Sequence, residues 1–114
     1  MQSELFPIRV EYSPQFKKDV RRLAKKYRHI KSDLQPFIEN LENRHLPGER
    51  IQGTGYDVYK ERLRNSDLNK GKSAGYRVIY FLKQHDLVYL LTIYSKSDQP
   101  TISPQQILQI IDSL

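Results

Sequence analysis

Gly75-Tyr76-Arg77-Val78-Ile79-Tyr80-Phe81-Leu82-Lys83, then Gln84-His85-Asp86, then Leu87-Val88-Tyr89-Leu90-Leu91-Thr92-Ile93-Tyr94 decide the fold. Two runs rich in β-branched and aromatic residues around a short polar turn predict an antiparallel hairpin. Tyr56–Arg64 is a further strand ahead of them, which makes a three-stranded meander, and the polar, basic Asn65–Ser73 is expected to project beside it as an exposed loop. Working further back, Leu46–Gly55 contains Pro47, Gly48, Gly53 and Gly55 and reads as the loop that leads into the sheet.

The N-terminal half has a different period. Phe6–Tyr12 alternates Ile8, Val10 and Tyr12 with Arg9 and Glu11, the pattern of a half-buried strand. Ser13 can cap a helix whose first position is Pro14, where a missing N–H costs nothing. Phe16, Val20, Leu23 and Tyr27 form its buried stripe, so this helix is expected over Pro14–Arg28. A second helix is expected to begin near Ser32, with Ser32 and Gln35 as a capping box and Pro36 in the first turn; Leu34, Phe37, Ile38 and Leu41 give its apolar face. Ser103 and Gln106 repeat the box ahead of Ile107, Leu108, Ile111 and Leu114, a short C-terminal helix. The order β-α-α-β-β-β-α predicts an α+β protein with a helical hairpin packed on a small, mainly antiparallel sheet. A chain of 114 residues fits one domain, 1–114.

Composition narrows the chemistry. There is no cysteine, which excludes disulfides and thiolate metal sites and suits the cytoplasm. No stretch approaches the length of a membrane span, and Met1–Pro7 has no apolar run of signal-peptide type. The net charge of +6 is unevenly spread: residues 1–59 carry 11 basic and 8 acidic groups, 60–96 carry 8 and 3, and 97–114 carry none and 2. The positive excess therefore peaks on the strands, the electrostatic footprint of a polyanion partner.

Within that segment Val58, Lys60, Arg62 and Arg64 share one face of their strand by alternation, and Tyr59, Glu61 and Leu63 share the other. Three like charges on one face repel, so a polyanion partner or a solvated face would account for them. Tyr76, Tyr80 and Tyr94 are interleaved with the basic residues, and an exposed tyrosine can stack on a base. Gly71-Lys72-Ser73 ends like a phosphate-binding loop, but Ser66 stands where the first glycine is required and a strand follows, which excludes a nucleotide-binding P-loop. Lys70 and Lys72 suit the phosphates of an extended strand instead. Arg77, inside an apolar strand, needs a specific partner, either a structural carboxylate or a bound phosphate. Tyr94 and Lys96 emerge at a strand end, where the tyrosine can exchange a proton and the lysine can stabilise a phosphorane oxygen. His29, His45 and His85 are scattered and read as surface residues, and no cluster suggests a metal.

Tyr59-Lys60-Glu61-Arg62-Leu63, Gly71-Lys72-Ser73-Ala74-Gly75-Tyr76-Arg77-Val78-Ile79-Tyr80 and Leu91-Thr92-Ile93-Tyr94-Ser95-Lys96 resemble the RelE/ParE superfamily of type II toxin–antitoxin toxins. The likeness is closest to the RelE/HigB-like mRNA interferases and spans nearly the whole chain. It implies a RelE-like microbial RNase fold and a ribosome-dependent endoribonuclease that cuts mRNA in the decoding site without a metal or other cofactor. The family's basic pair falls on Lys60 and Arg62, and its strand arginine on Arg77. The likeness departs at Ser97, where RelE has an arginine, and in a C-terminal helix without tyrosine; Tyr94 and Lys96 are the candidates to stand in.

The chemistry so implied is attack of a ribose 2′-OH on the adjacent phosphate, leaving a 2′,3′-cyclic phosphate and a 5′-hydroxyl. Lys60 or Tyr94 is assigned to proton transfer, Arg62 and Arg77 to the phosphate, and Lys96 to charge stabilisation or leaving-group protonation. Arg64, Lys70, Lys72 and Tyr76 are assigned to RNA binding. The expected partners are the ribosome, mRNA and a helix-turn-helix antitoxin that masks the basic groove, with operator DNA reached only through that antitoxin. Two alternatives stand beside this reading: a ParE-like gyrase poison that cuts nothing itself, and a non-catalytic RNA-binding module.

Overall fold

The computed structural model describes residues 6–69, 71 and 74–114. Its elements are β1 (Arg9–Tyr12), α1 (Pro14–Ala24), α2 (Ile30–Glu42), β2 (Glu49–Arg50), β3 (Val58–Leu63), β4 (Tyr76–Gln84), β5 (Leu87–Ser95) and α3 (Pro104–Asp112). The strands form one sheet in the order β1-β5-β4-β3-β2, in which β1 runs parallel to β5 and the other pairs are antiparallel. The α+β arrangement and the meander match the sequence reading. The short strand β2 was not expected.

Ser13 starts α1 as its spacing predicts: its Oγ accepts the Phe16 N–H at 3.0 Å and donates to the Leu91 carbonyl at 2.7 Å, tying the helix start to β5. The helix stops at Ala24, four residues before the expected end. Tyr27 and Ile30 are both buried, and the turn between the helices is what lets both reach the core. The second helix accordingly begins at Ile30, with His29 at the N-cap. The Ser32–Gln35 box does not form, because Ser32 Oγ donates to the His29 carbonyl at 2.9 Å. Pro36 therefore lies inside α2, on its exposed side, where the Ser32 carbonyl it leaves without an i+4 donor can turn to water. The C-terminal box is present, with Gln106 N–H donating to Ser103 Oγ at 3.2 Å and Ser103 N–H to Gln106 Oε1 at 2.9 Å.

Two cores lie on opposite faces of the sheet. The helical hairpin packs Phe16, Leu23, Ile30, Leu34, Phe37 and Leu41 against Tyr76, Val78, Tyr80, Val88, Leu90 and Ile93. On the other face α3 inserts Ile107 among Val58, Ile79, Phe81, Leu91 and Tyr94. A register shift opposite Ile79 and Tyr80 explains how β5 serves both: Tyr80 pairs with Leu90 and Ile79 with Thr92, so Leu91 is the extra residue. Beyond that bulge the alternation is inverted, and Tyr94 comes to lie on the α3 face.

The open edge of β5 past Leu90 is closed by α1. Asp19, almost fully buried, accepts from Thr92 Oγ1 and from the Ile93 N–H at 3.2 Å, while Gln15 and Arg22 hold its other oxygen. A buried carboxylate thus supplies the acceptor that a neighbouring strand would otherwise provide. At the opposite edge, Gly48 has φ +101° and a Cβ there would stand 2.3 Å from the Lys60 carbonyl oxygen, so only glycine lets β2 approach β3 this closely. None of the helices in the described residues is long and apolar enough to cross a membrane.

Candidate active site

The register brings the expected basic residues together. Arg62 pairs with Arg77 across β3 and β4, and Arg77 pairs with Tyr94 across β4 and β5. Directly paired residues point to the same face, so Arg62, Arg77 and Tyr94 form one row about 10 Å long on the α3 side. Lys60, two residues before Arg62 and opposite Ile79, shares that face. Lys96 follows β5 and is exposed, its backbone N–H bound to the Gly75 carbonyl at 3.0 Å.

Exposure grades the row. Arg62 is exposed and Lys60 half-buried, whereas Arg77 and Tyr94 are each 4% exposed. Arg77 Nη1 donates to the Tyr76 carbonyl at 3.2 Å. Burial first, and the Arg62 charge second, weaken the hold of the Arg77 guanidinium on its proton, with the Tyr94 phenol opposing them. A phosphate beside the pair would counter both unfavourable influences. Tyr94 is shifted upward by burial, with Arg77 working against it, and its enclosed hydroxyl has no hydrogen-bond partner among the described residues. Tyr94 therefore holds its proton more tightly than a free phenol does.

Among the described residues no carboxylate forms an ion pair with Lys60 or Arg62. The nearest carboxylate by register is Glu49 on β2, paired with Lys60. Sequence reasoning placed Glu49 in a loop and missed it; the signal was Gly48, read there only as a loop residue. A carboxylate on this face can hold the Lys60 ammonium in place or accept a proton.

Other expected site residues lie elsewhere. Tyr76 is 0% exposed and packs edge-on against Tyr27 at 5.9 Å in the hairpin core, so it offers no surface to a base. Tyr80 shares that core, stacked on Tyr59 at 5.3 Å and donating to the Pro47 carbonyl. Alternation along β4 sends both tyrosines to the face opposite Arg77. Arg64 lies past the end of β3 and lines a recess with Asp33, Phe37, Glu61 and Leu63 on the α2 side, so it leaves the Lys60–Arg62 face. Lys70 and Lys72 lie outside the described residues.

The loop after β3 is docked over its first residues rather than projecting. Asn65 is buried, the Ser66 N–H donates to Asp33 Oδ2 at 2.9 Å, and Asp67 takes both the His29 backbone N–H at 3.0 Å and its Nδ1 at 2.7 Å. The His29 backbone bond, then its ring, hold the Asp67 carboxyl below the usual carboxylate range. His29, His45 and His85 are all exposed, as expected, and the described residues contain no group of metal-ligating side chains.

Comparison with known proteins bears on the fold and the family. The free E. coli toxin RelE, in a doubly substituted form, superposes with a TM-score of 0.54 at 16% identity, over 95% of this chain and 94% of that one. The E. coli DinJ–YafQ toxin–antitoxin complex contains a chain that superposes with a TM-score of 0.55 at 22% identity, over 82% of this chain and 98% of that one. These likenesses show the fold. The family model for the RelE toxin of the RelE/RelB toxin–antitoxin system matches residues 15–111, nearly the whole chain, and the protein belongs to the RelE toxin family.

Proposed function

We propose that this toxin is a metal-independent endoribonuclease that cuts mRNA on the translating ribosome. The observation that carries the reading is the cross-strand row of Arg62, Arg77 and Tyr94 with Lys60 beside it. Arg62 and Arg77 paired across adjacent strands repel, an anion shared between them relieves that repulsion, and a phosphodiester is such an anion. Arg62 and Arg77 bind the phosphate and stabilise the charge that builds on it during attack.

In the reaction the ribose O2′–H bond breaks as the O2′–P bond forms, and the P–O5′ bond then breaks to leave a 2′,3′-cyclic phosphate. Lys60, acting as the free amine, stands at the attacking oxygen and takes the O2′ proton. The departing O5′ takes a proton, and Tyr94 and Lys96 are the donors on offer. Tyr94 holds its proton but lies beneath Ile107, so its use requires α3 to lift, whereas Lys96 is already exposed. Lys70 and Lys72 grip flanking phosphates. With no histidine in the row, the site depends on an outside surface to orient the mRNA, which is the part assigned to the ribosome. An antitoxin with a helix-turn-helix domain masks the cationic face.

The test is induction of the wild type and of Arg77→Ala in cells, followed by mapping of mRNA 5′ ends and of gyrase-linked DNA breaks. In-frame mRNA cuts that vanish in the variant are expected. DNA breaks with intact mRNA would instead make the chain a gyrase poison, and RNA binding with neither lesion would make it a non-catalytic module.

A further inference from the structure

Beyond Tyr94, at the end of the cationic row, the edge of β5 meets α1 and α3 around an open recess of about 280 Å³. Tyr94 belongs to both places, since it pairs with Arg77 and also lines the recess. The floor is polar: it is the buried Asp19 carboxylate, whose oxygens are taken by Gln15 Nε2 at 2.9 Å, Arg22 Nη2 at 3.2 Å, the Ile93 N–H at 3.2 Å and the Thr92 hydroxyl. Three glutamines line the walls, and each is fixed by one end of its amide. Gln15 donates to Asp19, Gln99 donates to the Thr101 carbonyl at 2.9 Å, and Gln106 accepts from the Ser103 N–H. Those partners decide which end is oxygen and which is nitrogen, so the ends left over are two acceptors, Gln15 Oε1 and Gln99 Oε1, and one donor, Gln106 Nε2. Charge is one-sided: Arg22 and, in the adjoining hollow, Lys18 stand on α1, while α3 carries no cation.

Cations on one side and oriented amides around the rest suit a single nucleotide, its phosphate on the cations and its base on the amides. We infer that the recess receives one unstacked base of the mRNA next to the cut and selects a base that carries an exocyclic amino group. The amino N–H groups of adenine or cytosine meet Gln15 Oε1 and Gln99 Oε1, the neighbouring ring nitrogen accepts from Gln106 Nε2, and Arg22 and Lys18 take the phosphate. Uracil presents two carbonyls and one N–H, so it leaves an acceptor of the site unpaired. Ile102 and Ile110 supply the apolar contact for the base faces. A peptide helix would need an apolar floor, which the Asp19 carboxylate denies it. The inference rests on the reading that the chain acts on mRNA, and it adds a place where sequence is read.

The probes are fluorescein-labelled hexanucleotides of adenine, cytosine or uracil with 2′-O-methyl riboses, which bar attack on the phosphate, titrated against the full chain by fluorescence anisotropy. The adenine and cytosine strands are expected to bind about tenfold tighter than the uracil strand. Gln15→Ala/Gln99→Ala brings all three within about twofold of one another, and Arg22→Ala weakens all three alike and lowers the slope of affinity against salt by about one. Gln99→Ala, which gives up only the bond to the Thr101 carbonyl, serves if the double variant does not fold, and reduces the preference to about threefold. Equal binding of the three strands by the wild type, a preference that survives loss of the glutamines, binding of none of the strands, or capture of a glutamate-rich peptide through Arg22 in place of RNA each overturns the inference. Cleavage of ribosome-bound mRNA by the wild type is scored separately: a base preference without cleavage sinks the nuclease reading alone, and cleavage without a base preference sinks this one alone.

Discussion

Arg62 and Arg77 stand directly opposite one another on adjacent antiparallel strands, one exposed and the other 4% exposed. Like charges in that position repel, and an anion shared between them relieves the repulsion. Arg62→Gln is therefore expected to raise stability by about 0.2–1 kcal/mol while lowering mRNA cleavage by about a hundredfold. Thermal denaturation and a cleavage assay on ribosomes check the two halves. A variant that melts lower than the wild type contradicts the proposed repulsion.

Asp19 is the acceptor that closes the edge of β5. Asp19→Ala leaves the Ile93 N–H and Thr92 hydroxyl without their acceptor and is expected to cost about 2–4 kcal/mol in urea denaturation. A loss under about 1 kcal/mol would mean that water replaces the carboxylate there.

Gly48→Ala puts a Cβ against the Lys60 carbonyl at a backbone angle that only glycine adopts readily. A loss of about 1–3 kcal/mol is expected, with reduced cleavage because β2 and the Lys60 backbone must separate. Unchanged amide-exchange protection of Lys60 and Arg62 in the variant counts against this.

Three phenols, Tyr76, Tyr80 and Tyr94, are shifted upward, each chiefly by burial. In the unfolded chain tyrosine ionises near pH 10, so the stability tied to these neutral phenols is complete below about pH 10 and is lost as pH climbs above it. Ultraviolet titration is expected to show these three of the eight tyrosines ionising only together with alkaline unfolding. Ionisation of all eight near pH 10 with the fold intact would show the burial to be wrong.

Local rules carried much of this fold to the surface of the sequence. Ser13-Pro14 and Ser103-Pro104 with Gln106 marked two helix starts, and the hairpin around Gln84–Asp86 fixed the pairing of β4 with β5. The start of α2 was misplaced because a capping pattern at Ser32 was weighed above the apolar Ile30, and tertiary burial won. For the site, alternation along β3 correctly grouped Lys60 with Arg62. It gave no phase for β5, where every residue from Leu87 to Leu91 is apolar or aromatic, so the bulge at Leu91 that turns Tyr94 toward Arg77 was invisible. The same alternation along β4 separates Tyr76 and Tyr80 from Arg77; counting them as groove residues overlooked it.

The central claim is that Arg62 and Arg77 serve one phosphate. Its most direct test is a single-turnover double-mutant cycle of Arg62→Ala and Arg77→Lys on ribosome-bound mRNA, with melting curves for every variant. Residues acting on one transition-state charge are not independent, so the double variant should be within about threefold of the slower single variant. Losses that multiply, or full-rate cleavage by Arg77→Lys and Arg62→Ala alike, would contradict the shared site.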